Sequence, residues 1–471
     1  MTDRTSGYNL KVVMHETGLN AETLRAWERR YGLPKPERTP GGHRLYTWRD
    51  IQMLNWLSQR RKEGMSISRA IENWRSLEAA GEDPLVAYPP KPQPVEIGGA
   101  MLDEYCQAWV NACLDFNEQA AEQFLTQAFG LFAPDIVCVG IIQRGISMIG
   151  SDWYAGKASV QQEHFSSALA MRRLYSLLAA TPAPTRPDRI LAACPVGEQH
   201  EFSLLLLVLL LRWRGWDVVY LGADVPLLRL ETALEATNPF LVVSVAQTLP
   251  SAASLRKMGE FLASRDLRMS YAGGIINTQP SLQNFIPGFY LGRAFPEAVQ
   301  VVESLWNLKP TNPTLRPIPP NYQQALKHYN EFQPQIESFI KKRMRTDEIL
   351  PAHLDIALTA LRRHVEAALE LGEIRLVEDS LKWLKGLLVN HGLSIELLKR
   401  FLYVYQQALK TYLPDADQVI FTDLIENIQD YSDQPPLNEK NEVDGSPGPV
   451  NDFNQSGSTL HSTQFPGRVV K

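Results

Sequence analysis

Residues 189–222 read RILAACPVGEQHEFSLLLLVLLLRWRGWDVVYLG. The run Arg189–Cys194 is small and apolar, as in a strand buried on both faces. Val218-Val219-Tyr220-Leu221 is a second such run. Between them, Phe202 to Trp213 is too long for a strand and apolar on every side, which predicts a wholly buried helix. Strand, helix and strand in this order form a crossover unit, whose strands must run parallel. The rhythm continues through Phe240–Val245, Met269–Ala272 and Phe289–Leu291. Residues 186–306 are therefore expected to form a doubly wound parallel sheet of the flavodoxin-like kind, an α/β domain.

Such sheets bind ligands beyond the carboxyl ends of their strands. The polar and small residues fall at those ends. Strand one is followed by Gly197-Glu198-Gln199-His200. Strand three ends near Ser244, with Thr248 shortly after, and strand four runs into Gly273-Gly274. Paired glycines let a bulky group approach the backbone. The dinucleotide fingerprint GxGxxG and the phosphate loop GxxxxGK[ST] are both missing, so a nucleotide cofactor is not indicated.

The segment Glu198–Ser203, EQHEFS, resembles the ExHxxG form of the cobalamin-binding signature, with Ser203 in place of its glycine. The resemblance implies that His200 ligates the cobalt of a cobalamin, with Glu198 holding its other ring nitrogen. Ser244, Thr248, Gly273 and Gly274 would line the slot for the cofactor's nucleotide tail. Upstream, DWYAGKASVQQEHFSSAL (152–169) sets nine residues between Trp153 and Glu163-His164. This spacing is similar to the helical cap of CarH/LitR-type light-sensing repressors that depend on adenosylcobalamin. The resemblance implies a four-helix cap over 99–180, with Trp153 beside the adenosyl group and Glu163 and His164 in contact with the cofactor. Those light sensors carry a histidine directly after the tryptophan. Here it is Tyr154, so a photoproduct ligated by two histidines cannot form in the same way.

At the other end of the chain, Leu10–Met14 begins a short helix that Thr17-Gly18-Leu19-Asn20 breaks, and Asn20 suits an N-cap. The helix that follows, Ala21–Arg30, sets Leu24 and Trp27 on one side and leaves Arg25, Arg29 and Arg30 for the other. This is the pattern of a helix-turn-helix whose second helix enters a major groove. Thr39-Pro40-Gly41-Gly42 then turns between two short extended runs, a wing offering Arg38, His43, Arg44 and Tyr46 to phosphates and the minor groove. Trp27 and Tyr31 read as core. The stretch LRAWERRYGLPKPERTPGGHRLY resembles the MerR family of transcription factors, which implies a winged helix-turn-helix over 8–77 and dimeric operator binding.

Charge agrees with that division. Residues 1–77 carry 14 Lys+Arg and 8 Asp+Glu, and the remainder 33 and 44, so a basic head joins an acidic body. Five prolines in 81–98 predict an extended linker. Residues 321–430 are expected to be helical and of unassigned role, with nothing to indicate catalysis. From 432 the apolar residues are too few for a core, which predicts a disordered tail. Four cysteines without a CxxC pair, no signal-like N-terminus and no span of the ~20 apolar residues a bilayer needs predict a cytoplasmic protein away from membranes. The expected function is that of a DNA-binding regulator, a repressor by resemblance, acting as a homo-oligomer under control of a bound cobalamin. Two other readings stay open on these residues. One is a corrinoid methyl-transfer protein. The other is a regulator whose middle region serves only as a protein-interaction scaffold.

Overall fold

A computed structural model describes residues 8–79 and 99–422, with short gaps at 9, between 38 and 44, at 63–64, between 308 and 316, at 345–350 and at 392–393. The linker 81–98, Pro84 aside, and the tail 432–471 lie outside the described residues. The chain divides into two units, Met1–Val95 and Glu96–Lys471.

The first unit holds α1 (Leu10–Thr17), α2 (Ala21–Tyr31), the two-residue strands β1 (Glu37–Arg38) and β2 (Arg44–Leu45), α3 (Trp48–Lys62) and α4 (Ile67–Ala79). Asn20 caps α2 by accepting from the Thr23 amide at 2.8 Å, and Gly32 ends it in the left-handed conformation at φ 66°. Both are the local signals that start and stop a helix. Leu24, Trp27, Leu54, Trp56 and Trp74 form the core, with Trp56 and Trp74 edge to face at 5.3 Å.

The second unit begins with the cap: α5 (Ala100–Leu114), α6 (Glu118–Leu131), α7 (Pro134–Val137), a π-turn over Cys138–Gln143, α8 (Arg144–Tyr154) and α9 (Val160–Ala179). The sheet follows, built from β3 (Arg189–Ala193), β4 (Asp217–Gly222), β5 (Leu241–Val245), β6 (Met269–Ala272) and β7 (Phe289–Tyr290). Its helices are α10 (Phe202–Trp213), α11 (Leu230–Thr237), α12 (Leu249–Ala263), the short α13 (Gly274–Thr278) and α14 (Phe295–Leu308). All strands are parallel, in the order β4-β3-β5-β6-β7, so the winding reverses between β3 and β5.

Alternation along the strands sends side chains to two different cores. Ile190, Ala192, Val243 and Val245 join the core shared with the cap, whereas Leu191 and Val242 join the opposite one. Every residue of Leu204–Leu211 is buried, because α10 lies under the cap as well as on the sheet. The remaining helices, α15 (Pro320–Met344), α16 (Pro351–Leu371), α17 (Leu376–Asn390) and α18 (Ile395–Tyr412), confirm a helical C-terminal region. They do not stand apart: Leu358, Leu361, Val365 and Leu369 share one core with Leu255, Met258 and Leu262 of α12. All four cysteines are buried and free, and burial pushes the thiols of Cys113 and Cys138 up to about 12, which suits inert packing groups. Among the described residues no helix is long and apolar enough to cross a membrane.

Candidate functional site

The reversal of strand order opens a crevice between the loops after β3 and β5, and the sequence-predicted residues gather there. Glu198 lies at its centre with 1% exposure. Its Oε1 accepts from the His200 amide and from His200 Nδ1, both at 2.8 Å. Its Oε2 accepts from the Gln247 amide at 2.6 Å and from Ser251 Oγ at 2.7 Å. Burial works to raise the Glu198 carboxyl, but the His200 contact and the two backbone amides outweigh it and hold it below the usual carboxylate range. An ionised carboxylate beside Nδ1 fixes the imidazole tautomer and leaves the lone pair on Nε2. That is the donor geometry of a metal-ligating histidine with an outer carboxylate.

The loop itself is tied from below. The Gly197 amide donates to Asp224 Oδ1 at 2.7 Å, and Asp224 returns its own amide to the Glu198 carbonyl at 3.0 Å. At the neighbouring strand end, Gly273 adopts φ 134°, and a Cβ there would run into the Ala246 carbonyl. Gly273 and Gly274 line an open cleft, with Gly292, Phe202 and Ser203 from the sheet domain and Gln143 and Ser147 from the cap. Gln143 closes the π-turn, an irregularity that tends to mark functional positions in helices.

Sequence reading overlooked Gln247, although it stands beside Thr248 in the same loop. Its amide group spans the cleft floor, Oε1 accepting from the Gly274 amide at 2.7 Å and Nε2 donating to Ser203 Oγ at 3.3 Å. The Ser203 departure from the signature glycine is thereby accommodated. Two slot assignments acquire a different character. The Ser244 hydroxyl is fully buried and donates to the Ala193 carbonyl at 2.7 Å. Thr248 caps α12, its hydroxyl accepting from the Ser251 amide at 3.3 Å. Neither is among the residues that line the cleft, and both hydroxyls serve the fold.

On the cap, Glu163 accepts from Ser167 Oγ and pairs with His164 Nδ1, each at 2.7 Å. Burial raises its carboxyl, but those bonds and the nearby charges of His164 and His200 prevail and keep it lowered. Glu163 is thus within electrostatic reach of His200 across the cap–sheet boundary. His164 is the more exposed partner, and its pKa is raised chiefly by the hydrogen bond to Glu163. Tyr175 of α9 and Tyr220 of β4 both donate to Glu201, at 2.5 and 2.8 Å, stapling cap to sheet. Trp153, in the last turn of α8, contacts the C-terminal helices, with its ring 6.3 Å from Trp383 and 6.0 Å from His391.

In the first unit, Arg25, Arg29 and Arg30 are exposed on α2, as the helix-turn-helix reading requires. Arg38 lies in β1, and His43 falls outside the described residues. One wing residue needs correction and one has an added role. Arg44 Nε is held by Glu28 at 2.8 Å, a hydrogen bond that raises its pKa and ties the wing to α2. Tyr46 is 1% exposed, sits in the core and pairs its backbone with Tyr8, so it cannot face a groove. Its buried hydroxyl has no hydrogen-bond partner among the described residues. Tyr46→Phe is therefore expected to leave operator affinity within about twofold and not to lower stability, since it removes an unsatisfied polar group. A large affinity loss in a DNA-binding titration would return Tyr46 to the interface.

Residues 8–76 match the family described as MerR HTH family regulatory protein, and residues 105–178 match the family described as B12 binding domain. The HTH-type transcriptional repressor CarH of Myxococcus xanthus is 34% identical over 248 residues, which cover 51% of this chain and 79% of CarH. The repressor CarA of the same organism is 28% identical over 301 residues, 63% of this chain and 96% of CarA. The HTH-type transcriptional regulator MlrA of Escherichia coli is 47% identical over 51 residues, 11% of this chain and 21% of MlrA. The chain therefore belongs to the CarH family of HTH-type transcriptional repressors, DNA-binding regulators rather than enzymes, and it carries a B12 binding domain.

Proposed function

We propose that this protein represses transcription from an operator that its MerR-type unit grips as a homo-oligomer in the cytoplasm, and that adenosylcobalamin, bound between cap and sheet, sets the grip. The observation that carries this reading is the His200–Glu198 pair at the strand-order reversal, beside a cleft lined by Gly273 and Gly274. The residues present fit the cofactor. A histidine whose Nδ1 is committed to an ionised carboxylate could offer Nε2 to a cobalt centre. Gly273 and Gly274 present bare backbone to the cleft that a nucleotide tail would occupy.

His200 would hold the cobalt through Nε2, Glu198 would set the ring's orientation and basicity, and Gln247 would form the floor between Ser203 and Gly274. Ser244 and Thr248 would act only through the fold, while Glu163, His164 and Trp153 would bound the opposite face from the cap. When bound, the corrin supplies a cobalt–carbon bond whose upper substituent can be gained or lost. A switch in operator affinity then requires that the ligand bind two arrangements of the chain unequally.

Protein mixed with adenosylcobalamin in the dark should emerge coloured from gel filtration, and His200→Ala should lose the histidine-ligated spectrum. A colourless wild type would overturn the cofactor reading and leave the middle region as a scaffold. Spectra taken before and after green light would show whether the upper substituent is photolabile here, where Tyr154 stands after Trp153. Arg25→Ala and Arg29→Ala should each weaken operator binding and lower the slope of log affinity against log salt by about one. An unchanged slope for both would place the DNA contact elsewhere.

A further inference from the structure

The C-terminal helices touch both walls of the candidate cofactor site, and the two attachments differ in kind. On the sheet side the attachment is broad and apolar, through the core that α16 shares with α12. Buried Gln279 Nε2 reinforces it by donating to the Leu376 carbonyl at 3.2 Å. The Arg363 guanidinium lies over Gly197, next to the loop that carries His200. On the cap side the attachment is small, aromatic and polar. Trp383 stacks on Tyr154 at 5.6 Å and 29°, and the Tyr154 hydroxyl donates to the Trp383 carbonyl at 3.3 Å. Asn390 Nδ2 donates to the Tyr154 carbonyl at 3.0 Å, and His391 Nε2 meets the Trp153 carbonyl at 2.9 Å.

We propose that the C-terminal helical region is a clasp across the cofactor site, fixed to the sheet and releasing the cap's Trp153–Tyr154 end when cobalamin enters. The inference rests on the cobalamin reading above. A macrocycle seated between cap and sheet shifts the end of α8 relative to the strands. The C-terminal helices follow the sheet, because separating them from α12 would expose a leucine-rich core, at about 25 cal/mol for each Å² uncovered. The cap-side contact is the weaker link and gives way. Trp383, Asn390 and His391 are thus positioning residues for Trp153 and Tyr154. Occupancy of the site becomes a free or docked state of α17, which a partner or a second copy of the chain can read.

Gly386 provides a wedge for the test. It is buried on α17, and a Cβ there would strike the Tyr154 hydroxyl. Gly386→Ala raises helix propensity yet pries the clasp open, and adding Tyr154→Phe removes the atom that is struck. Hydrogen exchange on the full-length chain reads the contact with or without cofactor. Loading with adenosylcobalamin in the dark should raise exchange severalfold in peptides spanning 150–156 and 380–391, while 355–370 stays as it was. Gly386→Ala should produce the same rise in the cofactor-free protein, and the double variant should reverse most of it. A coloured protein with unchanged exchange at 380–391 overturns the clasp and spares the cofactor site. Wild-type exchange in cofactor-free Gly386→Ala also overturns the clasp. A protein that stays colourless overturns the cobalamin reading, and the clasp with it.

Discussion

Glu198→Gln should weaken cobalamin binding roughly 10–100-fold, as loss of an outer carboxylate does at other metal-ligating histidines. It should also destabilise the cofactor-free protein by about 1–3 kcal/mol through unsatisfied buried donors. The reasoning is one of valence. The Glu198 carboxylate accepts from four donors: the His200 amide, His200 Nδ1, the Gln247 amide and Ser251 Oγ. Glutamine presents one acceptor oxygen, so its amide nitrogen must face donors on one side or the other.

The pH dependence supplies the sign. Folding lowers the Glu198 pKa, so its stabilising contribution is complete above the ordinary carboxylate range and is lost as pH falls through the lowered folded value. The gap between wild type and variant should therefore be widest near neutral pH and close in acid. Denaturant titrations at several pH values and an absorbance titration with cobalamin measure both effects. Equal stability and equal affinity at neutral pH would remove Glu198 from the centre of the site.

Gly273→Ala should be more damaging still. At φ 134° an L side chain is strained by about 1–3 kcal/mol before any contact is considered. Here the added Cβ also meets the carbonyl of Ala246, whose own amide bonds to the Ala272 carbonyl at 3.0 Å. Relief requires β5 and β6 to part where the slot begins. The expected outcome is a lower midpoint in thermal unfolding and no retained colour after gel filtration with cobalamin. Gly150→Ala serves as the neutral control, because its Cβ would meet nothing within 4 Å. A Gly273→Ala protein that melts and binds like wild type would show that the backbone there yields easily.

Much of this architecture is legible in the residues because it repeats a period. The five strands, the buried Leu204–Leu211 helix and the α2 cap at Asn20 each follow from local pattern. So does the clustering of Glu198, His200 and the paired glycines, since every one sits at a strand end. Tyr46 was misplaced because β1 and β2 are two residues long and offer no alternation to read. Its burial depends on Tyr8, far back in the chain. The Arg44–Glu28 pair is hidden from the sequence for the same reason, Glu28 lying on α2. The meeting of Trp153 with Trp383 and His391 had no local signal at all. It depends on α16 docking along α12, a match of two apolar faces whose separate sequences each look like an ordinary helix.

One consequence follows from the position of Leu204–Leu211, with the cap above and strands below. A cap that lifted away would wet those leucines, and each buried leucine contributes about 1.5–3 kcal/mol. A nanomolar ligand supplies only about 12 kcal/mol in total. A ligand of that affinity therefore cannot expose the whole of this helix, and a cap that stays seated on α10 is the expected state with and without the cofactor.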